Sequence, residues 1–187
     1  MRPPEPPTAG EPHPRALDGE DRAGYWDKVR YLARLVLQPP DGTEHDAFAL
    51  FGNATLDQDE QGDAGKVNPD RRYSRWVVRT IRDTLRPRLL VVVGLHGKLK
   101  ASSDIRTVFE DELRGFRLSE PHSEHPLSCY SKKRLVFREW HCAGPNGNRI
   151  RVVLFPQHPS RSPFNILDTW YGACREFADR YRTVIDP

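Results

Sequence analysis

Apolar residues first recur at helical spacing at Tyr25, Trp26, Val29, Leu32, Ala33 and Val36, and Pro39-Pro40 stop the run. A short apolar stretch follows, Ala47-Phe48-Ala49-Leu50-Phe51, and breaks at Gly52-Asn53, which predicts a buried strand. Thr55 to Val67 is acidic and glycine-containing, hence a loop. Asn68-Pro69 has the form of a helix start, a capping side chain followed by proline at the first helical position. Tyr73, Trp76, Val77, Thr80, Ile81 and Thr84 form the expected inward face of that helix, and Pro87 ends it. Leu89 to Val93 is a continuous apolar run without alternation, the pattern of a parallel strand buried on both faces. A helix from about Ser103 to Arg114 is stopped by Gly115. Arg134 to Cys142 and Arg149 to Phe155 read as two strands joined by a turn-rich segment. A last helix is predicted from Ser162-Pro163 through Leu167, Trp170, Tyr171, Cys174, Phe177 and Tyr181.

The order helix, strand, helix, strand, helix, hairpin, helix predicts an α/β fold, a three-layer αβα arrangement with a short, mostly parallel central sheet. In such a sheet, ligands bind beyond the carboxyl ends of the strands. Three segments are expected there: Phe51-Gly52-Asn53, Gly94-Leu95-His96-Gly97 and Pro156-Gln157-His158-Pro159-Ser160. Residues remote in the chain thereby converge on one crevice.

Composition narrows the picture at the N-terminus. Met1 to Ala23 is proline-rich with little apolar content, so it is read as a disordered tail, with one folded domain over 24–187. The tail lacks the form of a secretory signal, and no apolar run reaches the length of a membrane span. A cytoplasmic monomer is the expectation. Cys129, Cys142 and Cys174 are too widely spaced for a zinc ribbon or an iron–sulfur site and are expected to fill core space. No ligand cluster for a metal stands out, and no cofactor is expected. The formal charge of +3 says little about an anionic partner.

The chemistry at the predicted rim says more. The carboxamide of Asn53 offers a donor and an acceptor side by side, which matches the imide edge of uracil or thymine. The imidazole of His158 can donate to an oxygen that becomes anionic as a base departs. Singly, each has a plainer reading: Asn53 as a turn residue, His158 as a solvated loop histidine, and Gly94 and Gly97 as pivots from strand to helix.

Taken in order, Phe48-Ala49-Leu50-Phe51-Gly52-Asn53-Ala54, Arg86-Pro87-Arg88-Leu89-Leu90-Val91-Val92-Val93-Gly94 and Leu154-Phe155-Pro156-Gln157-His158-Pro159-Ser160-Arg161 resemble the uracil-DNA glycosylase superfamily. The resemblance covers about Ala47 to Tyr181. It implies a DNA partner and base excision by flipping, with Asn53 reading the base edge and His158 stabilising the departing oxyanion. It further implies that Gly94 allows close backbone approach, that Pro159 and Ser160 press on the strand, and that Ser160 and Arg161 contact DNA. The sequence departs from the family at its first motif, since no GQDPY-like or GEAPG-like segment occurs. Asp57, Asp59, Glu60 and Asp63 are then candidates for water activation, or simply a solvated acidic loop. A non-catalytic nucleic-acid or nucleobase binder of the same fold is the alternative, and a generic nucleotide-handling α/β protein the third reading.

Basic residues add two candidate surfaces. Arg71, Arg75, Arg79, Arg82 and Arg86 fall at helical spacing, which suits either a solvated face or a track for phosphates. Lys132, Lys133, Arg134, Arg149, Arg151 and Arg161 surround the hairpin and the His158 loop.

Overall fold

The computed structural model describes residues 25–37, 72–95, 100–131, 135–159, 161, 163–164 and 166–185. They fall into two compact units: one of residues 25–37, 128–131 and 159–185, the other of residues 72–127 and 135–158. The strand expected at Ala47–Phe51, with Gly52 and Asn53, lies outside the described residues, as do the tail and the acidic loop.

The first unit is a helix pair. Helix α1 (Tyr25–Leu37) buries Val29, Leu32, Ala33 and Val36, the stripe that the spacing predicts. Its partner, the last helix of the chain (Leu167–Ile185), buries Trp170, Ala173, Cys174, Phe177, Ala178 and Tyr181. Tyr31 packs on Tyr171 at 4.5 Å between ring centroids. The Trp170 indole N–H donates to the Lys28 carbonyl at 3.2 Å, and Arg182 donates to the Leu35 carbonyl at 2.8 Å. Contacts that advance together along both helices mean that the two run in the same direction. The final helix begins at Leu167 rather than beside Pro163, whose carbonyl instead closes a turn with the Ile166 N–H.

The 128–131 turn docks on this last helix through one carboxylate. Glu176 accepts from the Ser128 N–H, the Ser128 hydroxyl and the Cys129 N–H at 2.7–2.8 Å. Gly172 permits the approach, since a Cβ there would lie 2.6 Å from Cys129 Cβ. Cys142 and Cys174 are buried, but Cys129 is exposed, so only two of the three cysteines fill core space.

The second unit is a mixed α/β layer. In chain order it contains α2 (Arg72–Thr80), a π turn (Ile81–Leu85), β1 (Leu89–Val92), α3 (Lys100–Glu112), β2 (Ser123–Pro126), β3 (Val136–Ala143) and β4 (Arg149–Leu154). Leu167–Ile185 is accordingly α4. The strands form one sheet in the order β1-β4-β3-β2. Only β1 and β4 pair in parallel; β3–β4 and β2–β3 are antiparallel, which corrects the expectation of a mostly parallel sheet for the described strands. The reason is local. Residues 144–148 are a connection far too short for the crossover that a parallel pair requires.

Helices α2 and α3 cover one face of this sheet. Ile105, Val108 and Phe109 from α3, with Leu113 just past its end, meet Trp140 and Cys142 of β3, Ile150, Val152 and Leu154 of β4, and Val78 of α2. Phe116 bridges Phe109 and Trp140 at ring distances of 5.6 and 4.6 Å, and the Trp140 indole donates to the Arg117 carbonyl at 2.7 Å. The strand buried on both faces is β4, whose Val152, Val153 and Leu154 are fully covered. In β1, the last of the described strands in the sheet order, only Val92 is buried. Among the described strands, burial on both faces therefore falls on β4 rather than on the unalternating run Leu89–Val93.

Two further expectations change on α2. Val77 is buried as expected, but Trp76, also expected inward, is 45% exposed, and Ser74 and Val78 are buried in addition. The cause is the arginine row. Arg75 donates to Asp111 and Glu112 at 2.6 and 3.0 Å, Arg79 makes two bonds to Glu112 at 2.8 and 2.9 Å, and Arg82 donates to the Glu112 carbonyl at 2.6 Å. Three of the stripe's arginines thus face α3 and hold its C-terminal end, where a positive charge also opposes the helix dipole. The bond from Arg79 is the first reason that the buried Glu112 carboxyl sits below the ordinary glutamate range, with Arg75 acting in the same sense against desolvation. Arg86 adopts φ 47° and its N–H closes the π turn on the Ile81 carbonyl at 2.9 Å, after which Pro87 prevents further helix.

Candidate functional site

Parallel pairing decides which segments lie together at the carboxyl ends of β1 and β4. Val92 of β1 stands opposite Leu154 of β4, and the Phe155 N–H extends the ladder by donating to the Val92 carbonyl at 2.9 Å. The segments that leave the two strands, Val93-Gly94-Leu95 and Pro156-Gln157-His158, therefore emerge at the same end.

Gly94 turns the chain with φ +87°, a conformation that an L side chain rarely adopts. A Cβ on Gly94 would stand 3.4 Å from His158 Cδ2, so the turn and the imidazole are in direct contact range. Leu95 is buried just beyond, and Arg106 of α3 fixes the turn by donating to the Leu95 carbonyl at 2.7 Å. His158 is half-buried. Between Phe155 and His158, the side-chain carbonyl oxygen of Gln157 is buried with no hydrogen-bond partner.

The chain past His158 belongs to the helix-pair unit. Lys28, only 7% exposed, donates its ammonium to the Pro159 carbonyl at 3.0 Å. That bond anchors the loop directly after the imidazole. Arg161 is exposed. Two of the three predicted rim segments are thus brought together through Gly94 and His158, and Pro159 follows by connectivity. Asn53, His96, Gly97, Ser160, Asp57, Asp59, Glu60 and Asp63 lie outside the described residues.

A second polar constellation went unseen in the sequence. On the sheet face opposite Trp140, Glu139 is buried and accepts from His141 Nε2 at 2.8 Å. His125 Nε2 and Arg151 Nε approach the same carboxylate at 3.5 and 3.4 Å, and Ser123 Oγ lies 3.2 Å from His125 Nε2. His122 stacks on His141 with centroids 4.2 Å apart. The signal available was the Glu-x-His spacing, which on a strand puts both side chains on one face. Its partners come from β2 and β4, and the polar segment Ser123–Pro126 carried no strand pattern at all. Among the described residues, no group of three or more His, Cys, Asp and Glu side chains is arranged to hold a metal ion.

An open cleft of about 450 Å³, lined by Arg106, Thr107, Glu110, Leu118, Ser119 and Arg138, lies beside α3. Its charges are largely engaged: Arg138 pairs with Glu124 at 2.8 Å, and Glu110 accepts the Leu118 N–H at 2.9 Å. No described helix is long and apolar enough to cross a membrane. Chemically, this end of the β1–β4 pair brings a backbone turn without a side chain next to an imidazole. Compared with protein-family models, curated proteins and solved structures, the chain matches none of them.

Proposed function

We propose that this chain is a DNA glycosylase-like protein that receives a flipped pyrimidine, uracil or a related base, at the rim formed by Gly94 and His158. The observation that carries the reading is the parallel β1–β4 pair, which leaves Gly94 beside His158 at the carboxyl ends of both strands, so close that a Cβ on Gly94 would lie 3.4 Å from the imidazole Cδ2. A planar base needs a backbone without a side chain to lie against, and Gly94 supplies one. As the N-glycosidic bond lengthens, charge builds on a base oxygen, and a positioned imidazole hydrogen bond is worth more there than in the ground state. In this reading Asn53 contacts the base edge, Pro159 and Ser160 fill the vacated stack, and Ser160 and Arg161 meet the DNA strand. A third helical layer against the sheet, completing the αβα arrangement, belongs to the same proposal.

The test is release of free uracil from a uracil-containing oligonucleotide, with His158→Ala as the control. Release lost in the variant supports excision. Salt-sensitive binding of the oligonucleotide without release assigns the chain to the non-catalytic form of the same reading. Absence of both release and binding at low salt ends it.

A further inference from the structure

We infer that the open cleft beside α3 binds a phosphate group, held between the guanidinium groups of Arg106 and Arg138. The cleft has a volume of about 450 Å³ and is lined by both arginines together with Thr107, Glu110, Leu118 and Ser119. Packing brings the two cations together, since one comes from α3 and the other from β3. Both reach the carboxyl end of the β1–β4 pair. Arg138 stands opposite Leu154, the last residue of β4. Arg106 donates through Nε to the Leu95 carbonyl, just past β1, at 2.7 Å. Arg138 is fixed in the same manner, its Nε donating to Glu124 at 2.8 Å. A guanidinium carries five N–H donors, so a bond through Nε orients it without exhausting it.

The chemistry of the ligand follows. A guanidinium fork matches the oxygens of a phosphate, and such charge-assisted bonds are stronger than neutral ones. A tetrahedral anion can accept from both arginines and, at its other oxygens, from the hydroxyls of Thr107 and Ser119, which are exposed residues. Glu110 is the one carboxylate of the lining, and its Oε1 accepts the Leu118 N–H at 2.9 Å. Its charge opposes an anion, so it limits the affinity of the site. The phosphate of a nucleic-acid strand and that of a small phosphorylated molecule share this chemistry. The inference stands apart from base excision, because neither Gly94 nor His158 lines the cleft.

The experiment titrates inorganic phosphate into the full chain at neutral pH, with ionic strength held constant by sodium chloride. NMR follows the backbone amides and the arginine Nε–H signals. Saturable shifts confined to the lining residues are expected. Arg138→Gln should weaken binding by about tenfold, the loss of one charged donor group. Glu110→Gln should tighten it by about two- to fivefold, because a like charge is removed while an amide oxygen still accepts the Leu118 N–H. A folding defect cannot produce that second result, so it decides the matter even if Arg138→Gln does not fold. Absence of shifts, shifts spread evenly over the surface, the same shifts with sodium chloride alone, or unchanged affinity in either folded variant overturns the site. A short single-stranded oligonucleotide then separates the two sources. Shifts of the same residues at lower concentration than inorganic phosphate requires support a nucleic-acid strand, and shifts with phosphate alone support a small phosphorylated ligand.

Discussion

Two ends of the same central strand handle buried polar groups in opposite ways. Near the start of β4, Arg151 joins His125 and His141 around the Glu139 carboxylate, so the charge is met by neighbours on three strands. Beyond the end of β4, Gln157 keeps a buried acceptor with no partner beside a half-buried histidine. Histidine alone therefore does not mark function in this protein. A saturated network stabilises and specifies the fold, whereas an unmet buried acceptor is a local cost that the rest of the packing must offset.

The comparison breaks most visibly at His158. If the rim is a site of base excision, His158→Ala lowers single-turnover uracil release by about 100- to 1,000-fold, the range for losing one oxyanion donor. Its Tm should move little, since the residue is half-buried rather than part of the main core. An equal loss of activity in Glu139→Gln, without unfolding, would instead shift the chemistry to the opposite end of the strand.

The next largest effect concerns the arginine clamp. Glu112→Gln leaves Arg75, Arg79 and Arg82 facing a neutral side chain and should cost about 2 kcal/mol, discounted from the usual buried-pair loss because the arginines are partly exposed. Urea unfolding at neutral pH measures it. The carboxyl's value is lowered in the folded state, so its contribution is present above the unfolded value of about 4.3. It is lost as pH falls through the lower folded value. The stability gap between wild type and Glu112→Gln should therefore close in acid. A gap that stays constant down to about pH 2 would show that the clamp's charge contributes nothing.

Gly94→Ala gives a smaller change. Its cost comes from forcing φ +87° on an L residue, about 1–2 kcal/mol. The added methyl meets the His158 ring only at ordinary contact distance, 3.4 Å. Denaturation should show that loss, and base binding should weaken further than stability does, because the methyl occupies the surface against which a base would lie. A loss of stability with unchanged ligand affinity would remove Gly94 from the site.

The smallest change is expected at Cys129. Burial and the neighbouring Glu176 push its thiol up to about 11, so it should react with alkylating reagents slowly at neutral pH despite its exposure. Rapid labelling of native protein at Cys129 would contradict this.

Much of the secondary structure was legible in the chain itself. Helical periodicity gave α1 and most of α3, and the turn residues at 144–148 located the β3–β4 hairpin, because these signals depend on neighbours a few positions apart. That Gly94 and His158 are neighbours was also legible, since each follows an apolar strand of a parallel pair. Tertiary structure decided the rest. It fixed the order of the described strands, which side chains of α2 turned inward, and that Arg75, Arg79 and Arg82 met a carboxylate. It also paired Ser123–Pro126 into the sheet and left Gln157 without a donor. Those outcomes depend on partners far away in sequence. A local pattern says what a segment can become, and only packing says what it meets.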